Sequence, residues 1–397
     1  MQPLAINHFS IVNSVGVGSA AMTHALRAKQ SGLTPCNFET VSLDTWIGQV
    51  AGLNDIRVRS DLNAYDCRNN RLAQMGLELD GFAVAVAAAR EKYGAERIGV
   101  FMGTSTSGIL QTELAYRRRD PYTGNLPKDF CYAETQNTFS LADFVQRYLY
   151  LTGPAFVVSS ACSSSAKVFG HAARMMEAGV CDAAVIGGVD SLCLTTLYGF
   201  NSLGLISHAP CRPYDIDRDG ISIGEGAGYV LLEKKCKQPV TGTMLLLGVG
   251  ESCDAYHMST PHPEGMGAKL AMQQALDAAG LASTDIDYIN LHGTATKAND
   301  ASEDKAVYEL FGPATPTSST KGSTGHLLGA AGITEAIIAI LAIKQDLLPG
   351  GIHTENIDPD LHSNYLLNNR DARVKRVLSN SFGFGGSNCS LVLGVDG

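Results

Sequence analysis

Short apolar runs alternate with helix-like stretches along the chain. Runs such as 9–18 (FSIVNSVGVG), 97–102 (RIGVFM) and 243–250 (TMLLLGVG) are dominated by aliphatic residues, as in buried strands. Between such runs, segments such as 141–151 and 267–280 are of helical length and composition. This alternation predicts βαβ units and therefore an α/β fold with mainly parallel sheets.

The segment 327–345 is apolar on nearly every side. A helix of this kind must be covered all round, so we expect it between two sheets as a central layer. The predicted architecture has five layers, in the order helix, sheet, helix, sheet, helix, with two mainly parallel mixed sheets.

The two halves of the chain resemble each other. Four pairs of segments are similar and follow the same order, namely 15–18 with 247–250, 97–106 with 286–296, 157–166 with 317–331, and 183–191 with 379–388. Together they predict an internal duplication. The segment 234–242, with its proline, glycine and charges, is the best boundary, so we divide the chain into 1–238 and 239–397.

Composition and charge narrow the class of protein. The 397 residues are 45% hydrophobic, which is sufficient for one large core or two ordinary ones. The formal net charge of −9 offers no basic surface to a nucleic-acid backbone, so nucleic acid is not an expected partner. The cysteines form no CxxC pair, and we expect neither a disulfide scaffold, nor a metal site, nor a cofactor.

No segment is expected to span a membrane. The longest uncharged stretches, 148–166 and 191–211, are interrupted by Gly-Pro, serine, asparagine and histidine residues. Residues 1–20 lack the basic start of a signal peptide and are interpreted as a strand. We therefore expect a cytoplasmic protein.

Cys162 is the first candidate for chemistry. It follows an apolar run and precedes a helical segment whose first turn is serines, so a strand-to-helix elbow is predicted there. The N–H groups of a helix N-terminus favour a thiolate, so we expect a thiol pKa lowered toward neutrality. The same N–H groups can hold an oxyanion. The alternative is an ordinary buried cysteine, one of ten in the chain.

Two histidines in the second half complete a possible site. His292 stands at a predicted strand end and His326 at a predicted helix start. In the duplication, the segment with His292 is equivalent to 97–106, and the segment with His326 is equivalent to 157–166, which contains Cys162. We therefore expect Cys162, His292 and His326 to converge, whereas the other histidines are interpreted as structural or surface residues.

Six motifs make the sequence similar to a known family, the elongating β-ketoacyl-acyl-carrier-protein synthases of the thiolase superfamily. They are SSACSSS (159–165), CRPYDIDRDGISIGEGAGYVLLE (211–233), DAYHMSTP (254–261), HGTATKAND (292–300), KGSTGHLLGAAG (321–332) and NSFGFGGSN (380–388). The resemblance covers essentially the whole chain and implies the duplicated five-layer thiolase-like fold. The phrases at 103–117 and 190–203 look like the ketosynthases of aryl polyene biosynthesis.

The resemblance implies a decarboxylating Claisen condensation. Cys162 would accept the acyl group, and its main-chain N–H, with that of Phe384, would form the oxyanion hole. His292 and His326 would donate hydrogen bonds to the malonyl thioester carbonyl. Lys321 would support this site as an ion pair with Glu335.

The resemblance also assigns substrate-binding residues. Those that match positions for the phosphopantetheine arm of the carrier are Thr294, Thr296, Ser259 and Thr260. Phe384 matches a gate on a mobile glycine loop. Thr106 and Phe200 are expected to border the acyl group, although a turn threonine bonded to the main chain is an equally open interpretation of Thr106.

An acyl carrier protein and a second subunit are the implied partners. Arg68 and Arg71 match the helix on which relatives dock the acidic carrier, and the run 117–119 offers three more arginines. A charged run is also typical of a simple solvated surface. The resemblance implies either a homodimer or a heterodimer with a chain-length-factor homologue.

Two other functions remain open. A thiolase that acts on CoA esters shares the duplicated fold but uses a second cysteine as base, and Cys389 is available in the sequence. A non-catalytic chain-length-factor subunit is the other, although such proteins usually replace the nucleophile. The intact set of Cys162, His292 and His326 favours the synthase.

Overall fold

The computed structural model describes residues 1–235 and 242–395. The strands are β1 (Leu4–Asn13), β2 (Gly16–Val17), β3 (Leu33–Pro35), β4 (Trp46–Gly48), β5 (Ile98–Gly103), β6 (Ala155–Val158), β7 (Ala183–Asp190), β8 (Ile223–Gly224), β9 (Gly226–Lys234), β10 (Met244–Cys253), β11 (Tyr288–Asn290), β12 (Pro316–Ser318), β13 (Leu347–Leu348), β14 (Asn364–Tyr365), β15 (Arg370–Asp371), β16 (Arg376–Gly383) and β17 (Ser387–Val395). The helices are α1 (Ser19–Arg27), α2 (Arg68–Leu77), α3 (Phe82–Tyr93), α4 (Ile109–Arg117), α5 (Ser140–Tyr148), α6 (Ser164–Glu177), α7 (Leu194–Ser202), α8 (Met266–Ala279), α9 (Lys297–Phe311), α10 (Lys321–Thr324) and α11 (Ala331–Gln345).

The strand order confirms the predicted duplication. In the first half, neighbouring strands follow the order β1-β9-β7-β5-β6, and in the second half the order β10-β17-β16-β11-β12. In each half, the first strand of the chain comes first in this order, followed by the fifth, the fourth, the second and the third. In the sheet the halves meet between β1 and β10. Along the chain they are joined between β9 and β10, where the predicted boundary at 238/239 lies outside the described residues.

The sheets are mixed, as expected, but antiparallel pairs are more frequent than a mainly parallel sheet implies. In each half the outer strands pair in parallel, while β9 and β17 run antiparallel to both of their neighbours. The short turn between β16 and β17 allows only an antiparallel pair. Hydrogen bonds between β1 and β10, from Leu4 to Ile6, also join the two sheets at their adjoining edges.

Helix α11 lies in the central layer, as predicted. Every residue from 331 to 343 is buried, and the helix packs with α6 between strands of both halves. The segment Leu328–Gln345 is long and apolar enough to cross a membrane, yet 89% of it is buried inside the protein. Its hydrophobicity is therefore explained by its place in the core.

Alternate side chains of the strands separate the layers. On β5, Phe101 faces the central helices, whereas Val100 and Met102 face the helices α2, α3 and α5 on the outer side. On β17, Leu391 and Leu393 belong to the same central cluster, while α8 and α9 cover the opposite face of that sheet. This arrangement gives the five layers.

Candidate active site

Cys162 lies on a tight elbow between β6 and α6. The preceding residue, Ala161, has φ 52°, a left-handed conformation that residues with a side chain rarely adopt. Serines hold the elbow: the Ser160 N–H donates to Ser164 Oγ at 2.9 Å, and Ser164 Oγ donates to the Ala161 carbonyl at 2.6 Å. The side chain of Cys162 is buried with 6% exposure. The sequence therefore predicted this elbow correctly.

The three expected side chains converge. His292 follows β11 and His326 follows α10. The Nε2 atom of His326 lies 3.1 Å from Cys162 Sγ, and the two imidazole ring centroids are 5.3 Å apart. A nitrogen of each ring and the sulfur all lie within 4.8 Å of one another.

Hydrogen bonds assign the same tautomer to both imidazoles. Nδ1 of His326 accepts the main-chain N–H of Leu328 at 3.3 Å, and Nδ1 of His292 lies 3.4 Å from the Nζ donor of Lys321. Since each Nδ1 accepts, each Nε2 carries the proton. Burial, with the Lys321 charge, holds the pKa of both histidines well below the usual range. The site thus contains two neutral N–H donors beside one thiol.

The predicted ion pair between Lys321 and Glu335 is confirmed. The two side chains are in direct contact, and both are buried. Lys321 also donates to the main-chain carbonyl of His292. Burial raises the pKa of Glu335, while the ammonium lowers it. A thiol and two imidazoles also match a metal-ligand set, but the Lys321 charge disfavours a cation beside His292.

The expected lowering of the Cys162 pKa is wrong for this conformation. Burial raises the pKa of the thiol to about 12, and this effect outweighs the Lys321 charge and the Phe384 N–H, which lower it. The physical reason is placement: α6 begins at Ser164, beyond the cysteine, and the thiol is withdrawn from water. The Phe384 N–H donates to the sulfur, but the loss of hydration has the larger effect on the pKa of the thiol.

A cavity of about 120 Å³ opens onto the three side chains. Its lining includes Cys162, His292 and His326 together with the expected residues Ser259, Thr260, Thr294, Thr296, Phe200 and Phe384. The Phe384 ring packs at 5.5 Å from the Phe200 ring, at one side of the cavity. Gly385, with φ 80°, forms the turn that carries Phe384. The sequence therefore identified much of the lining correctly.

Thr106 does not line this cavity. It is buried, and both its N–H and its hydroxyl donate to Asp190 at 2.8 Å. These bonds make Thr106 a turn threonine with satisfied hydrogen bonds, although its partner is the Asp190 carboxylate and not the main chain. Its place beside the acyl group stays a prediction.

The two arginines assigned to carrier docking are already paired. Arg68 forms a buried double hydrogen bond with Glu225 at 2.8 and 2.6 Å, and its side chain is 9% exposed. Arg71 pairs with Asp66 at 2.5 Å and remains partly exposed. The docking role of Arg68 is therefore corrected to a structural one, since its charge is neutralised inside the fold, and Arg71 presents little free charge.

Two acidic residues of α9 support the site and were not identified from the sequence. Glu303 accepts the main-chain N–H groups of His292 and Gly293 at 2.8 and 2.7 Å, and Asp300 accepts that of Thr294 at 3.0 Å. Burial raises the pKa of Glu303 to about 7. Their spacing of three residues on a helix that begins directly after HGTAT was a signal in the sequence.

A buried thiol beside two neutral imidazoles, on a duplicated α/β fold, defines a thiolase-like condensing enzyme. The comparisons identify the family. Residues 68–238 match "Beta-ketoacyl synthase, N-terminal domain" and residues 244–355 match "Beta-ketoacyl synthase, C-terminal domain". The chain therefore belongs to the β-ketoacyl synthase family.

Individual relatives agree. A 3-oxoacyl-acyl-carrier-protein synthase 2 of Coxiella burnetii is 32% identical over 98% of both chains, and one of Rhizobium meliloti is 42% identical over 61% of each. A solved ketosynthase (ApeO) in complex with its chain length factor (ApeC) from Xenorhabdus doucetiae is 37% identical, with a TM-score of 0.90 over 100% of this chain and 98% of that one.

Proposed function

We propose that this protein catalyses a decarboxylating Claisen condensation between a malonyl-acyl-carrier protein and an acyl group held as a thioester on Cys162. The observation that carries the proposal is the pair of neutral Nε2–H donors, His292 and His326, beside a thiol in one cavity. The product is a β-ketoacyl-carrier, as in fatty-acid or polyketide chain elongation.

Acyl transfer to Cys162 is the first half-reaction. The sulfur attacks the thioester carbonyl of the acyl-carrier, and the tetrahedral oxyanion accepts the main-chain N–H groups of Cys162 and Phe384. The carrier thiol leaves with the proton that the thiol of Cys162 gives up. Because one thioester replaces another, this step needs a thiolate and an oxyanion hole more than a strong base.

Decarboxylation drives the second half-reaction. The bond between the malonyl carboxylate and its α-carbon breaks, CO₂ leaves, and the electron pair forms an enolate whose oxygen accepts hydrogen bonds from His292 and His326. Each donor is worth about 3 kcal/mol in such a site. The α-carbon then attacks the acyl carbonyl, and the Cys162 thiolate leaves. A fixed Nε2–H tautomer suits this role, because neither imidazole must first lose or gain a proton.

The carrier arm reaches the site along the polar side of the cavity. The hydroxyls of Ser259, Thr260, Thr294 and Thr296 line it and match hydrogen-bond donors and acceptors of a phosphopantetheine arm. Phe384 acts as the gate at the inner end.

The carrier docks through cations outside the Arg68 helix. Arg117, Arg118 and Arg119 are exposed at the end of α4, which packs against the Phe200 helix α7. Arg117 lies 3.9 Å from Glu39 and Arg118 pairs with Asp129 at 3.0 Å, so Arg119 offers the freest charge of the three. An acidic carrier is attracted by such a cluster. We place the reaction in the cytoplasm.

A second subunit completes the assembly. The similar ketosynthase ApeO was solved with its chain length factor, and a second similar structure, 28% identical with a TM-score of 0.89, is the ishigamide ketosynthase/chain length factor. These relatives favour a heterodimer with a chain-length-factor homologue over a homodimer.

The alternatives have less support. Cys389, the base that a thiolase would need, is fully buried within β17 and is absent from the cavity lining. A non-catalytic subunit has no need for the intact thiol and histidine pair. The deciding experiment supplies either malonyl-carrier or acetoacetyl-CoA with CoA. CO₂ release and a β-ketoacyl-carrier support the synthase, whereas CoA-dependent cleavage of acetoacetyl-CoA alone overturns it.

A further inference from the structure

Asp190 is a buried carboxylate that the mechanism above does not use. It ends β7, and its side chain has no exposed surface. Its oxygens accept hydrogen bonds from neutral donors: the hydroxyls of Thr104 and Thr106 at 2.6 and 2.8 Å, and the main-chain N–H groups of Ser105, Thr106 and Gly329 at 2.8, 2.8 and 2.5 Å. A buried carboxylate with this many donors holds its neighbours in fixed places.

One group of donors connects Asp190 to the nucleophile. The N–H of Ser105 binds the carboxylate, and its hydroxyl donates to the carbonyl of Ala161 at 3.1 Å. Ala161 immediately precedes Cys162 and has the strained left-handed conformation. The carboxylate therefore reaches the elbow through a single serine.

The other donor connects Asp190 to the histidine. Gly329 lies three residues after His326, and the residue before it, Leu328, donates its N–H to Nδ1 of His326. Leu328 has φ 51°, again left-handed and strained. A Cβ atom at Gly329 would lie 2.7 Å from an Asp190 oxygen, so only glycine permits this close approach.

We propose that Asp190 is a positioning residue: it joins the cysteine elbow to the histidine loop and so fixes the hydrogen bond from His326 Nε2–H to Cys162 Sγ. The expected effect of Asp190 on decarboxylation rests on the proposed function, whereas its effect on the hydrogen bond between His326 and Cys162 can be tested without it. A carboxylate is required because donors approach it from both segments at once.

The informative substitution is Asp190→Asn, which keeps the shape of the side chain. Oδ1 accepts most of the hydrogen bonds and therefore remains an oxygen in the asparagine. The NH₂ group then takes the place of Oδ2 and faces the N–H of Gly329, so that two donors oppose each other. The loop that orients His326 is then displaced. The matched control is Thr104→Val, which removes one hydrogen bond to the carboxylate and the acceptor of the Ser107 N–H but leaves the contact with Gly329. Ser105→Ala is a milder variant that removes only the hydrogen bond to Ala161.

The first readout is alkylation of Cys162 by iodoacetamide, followed by mass spectrometry over a range of pH. The titratable groups around the thiol are His292, His326, Lys321, Glu335 and Asp190. Loss of the imidazole donor to the thiolate slows alkylation by about tenfold at a given pH. We expect this for Asp190→Asn, a smaller effect for Ser105→Ala, and the unsubstituted rate for Thr104→Val.

A double-mutant cycle distinguishes positioning from general support of the fold. If Asp190 acts through His326, then Asp190→Asn adds no further loss to His326→Ala, and the two effects on alkylation are not additive. Additive effects, or equal losses in Asp190→Asn and Thr104→Val, overturn the proposal. If Asp190→Asn does not fold, a Ser105→Ala protein with the unsubstituted alkylation profile also overturns it.

The second readout is catalytic. Displacement of His326 by about 1 Å lowers CO₂ release from malonyl-carrier by about 100-fold in Asp190→Asn, with a smaller loss in acyl transfer. If the unsubstituted protein releases no CO₂, the proposed function fails, whereas the alkylation cycle still decides the role of Asp190.

Discussion

The Nζ atom of Lys321 lies 3.4 Å from Nδ1 of His292, and this contact sets the tautomer of that imidazole. Burial, with the Lys321 charge, lowers the pKa of His292 and keeps the ring neutral. The ammonium lies beside Nδ1, the ring nitrogen that carries no proton in this tautomer. Glu335 balances its charge from the central helix α11. The ion pair therefore contacts the candidate site as well as the core.

The substitution Lys321→Met tests this relationship. It frees Nδ1 of His292 and leaves Glu335 buried without a partner, which costs about 3–5 kcal/mol of stability. The double variant Lys321→Met with Glu335→Leu restores much of the stability, because no uncompensated charge remains. Thermal unfolding should recover in the double variant while CO₂ release stays low. Recovery of both would show that the pair serves stability alone.

The identity of the nucleophile is tested by mass spectrometry. After mixing with an acyl-carrier, the acyl mass should appear on the peptide that contains Cys162, and Cys162→Ala should abolish it. Cys389→Ala is the matched control, because that thiol is buried outside the cavity. An acyl group on any other cysteine contradicts the assignment.

The raised pKa of Cys162 predicts a steep pH dependence of its reactivity. Below a pKa of about 12, the thiolate fraction rises about tenfold for each pH unit, so iodoacetamide alkylation should accelerate in step from pH 7 to pH 10. Lys321→Met should react more slowly throughout, since the nearby cation favours the thiolate. A plateau near neutral pH would instead indicate a thiol activated by the helix N-terminus.

The turn at Gly385 is expected to control the Phe384 gate. Gly385 has φ 80°, and a Cβ atom placed there meets nothing within 4 Å, so only backbone strain opposes substitution. Gly385→Ala should cost about 1–2 kcal/mol of stability and slow acyl-enzyme formation. Gly385→Asn is the control, because asparagine tolerates this conformation better. Equal rates in the two variants would argue against a gate that depends on this turn.

Substitutions of Arg68 and Arg119 distinguish a structural arginine from one that binds the carrier. Arg68→Ala leaves Glu225 buried and unpaired, so it should lower stability by about 3–5 kcal/mol. Arg119→Ala, on the exposed end of the arginine run, should leave stability unchanged and raise KM for the carrier. Calorimetric unfolding and carrier titration measure the two effects. A selective rise in KM for Arg68→Ala at unchanged stability would restore its docking role.

Much of the site could be predicted from the sequence because the chain repeats itself. Three of the four pairs of similar segments correspond to equivalent strands, β5 with β11, β6 with β12 and β7 with β16, whereas 15–18 follows β1 and 247–250 lies within β10. The elbow of Cys162 and the turns of His292 and His326 meet where the halves adjoin. Local patterns were sufficient for Cys162 and His292, which follow the strands β6 and β11. His326 was expected at a helix start, but it lies in the turn after α10, five residues before α11 begins.

Long-range pairing and burial could not be predicted. Arg68 looks like a free docking residue until the fold brings Glu225, 157 positions away, into contact with it. The hydrogen bond between Thr106 and Asp190, 84 positions apart, is likewise invisible to local patterns. The pKa of Cys162 depends on how much water the whole fold excludes, which no local pattern reveals.

The most direct test of the central claim compares the two half-reactions in His292→Ala and His326→Ala. CO₂ release from malonyl-carrier and acyl transfer to Cys162 are measured side by side against the unsubstituted protein. The two-donor account predicts that CO₂ release falls by about 100-fold or more in each variant and acyl transfer by much less. Loss of acyl transfer with decarboxylation intact would contradict it.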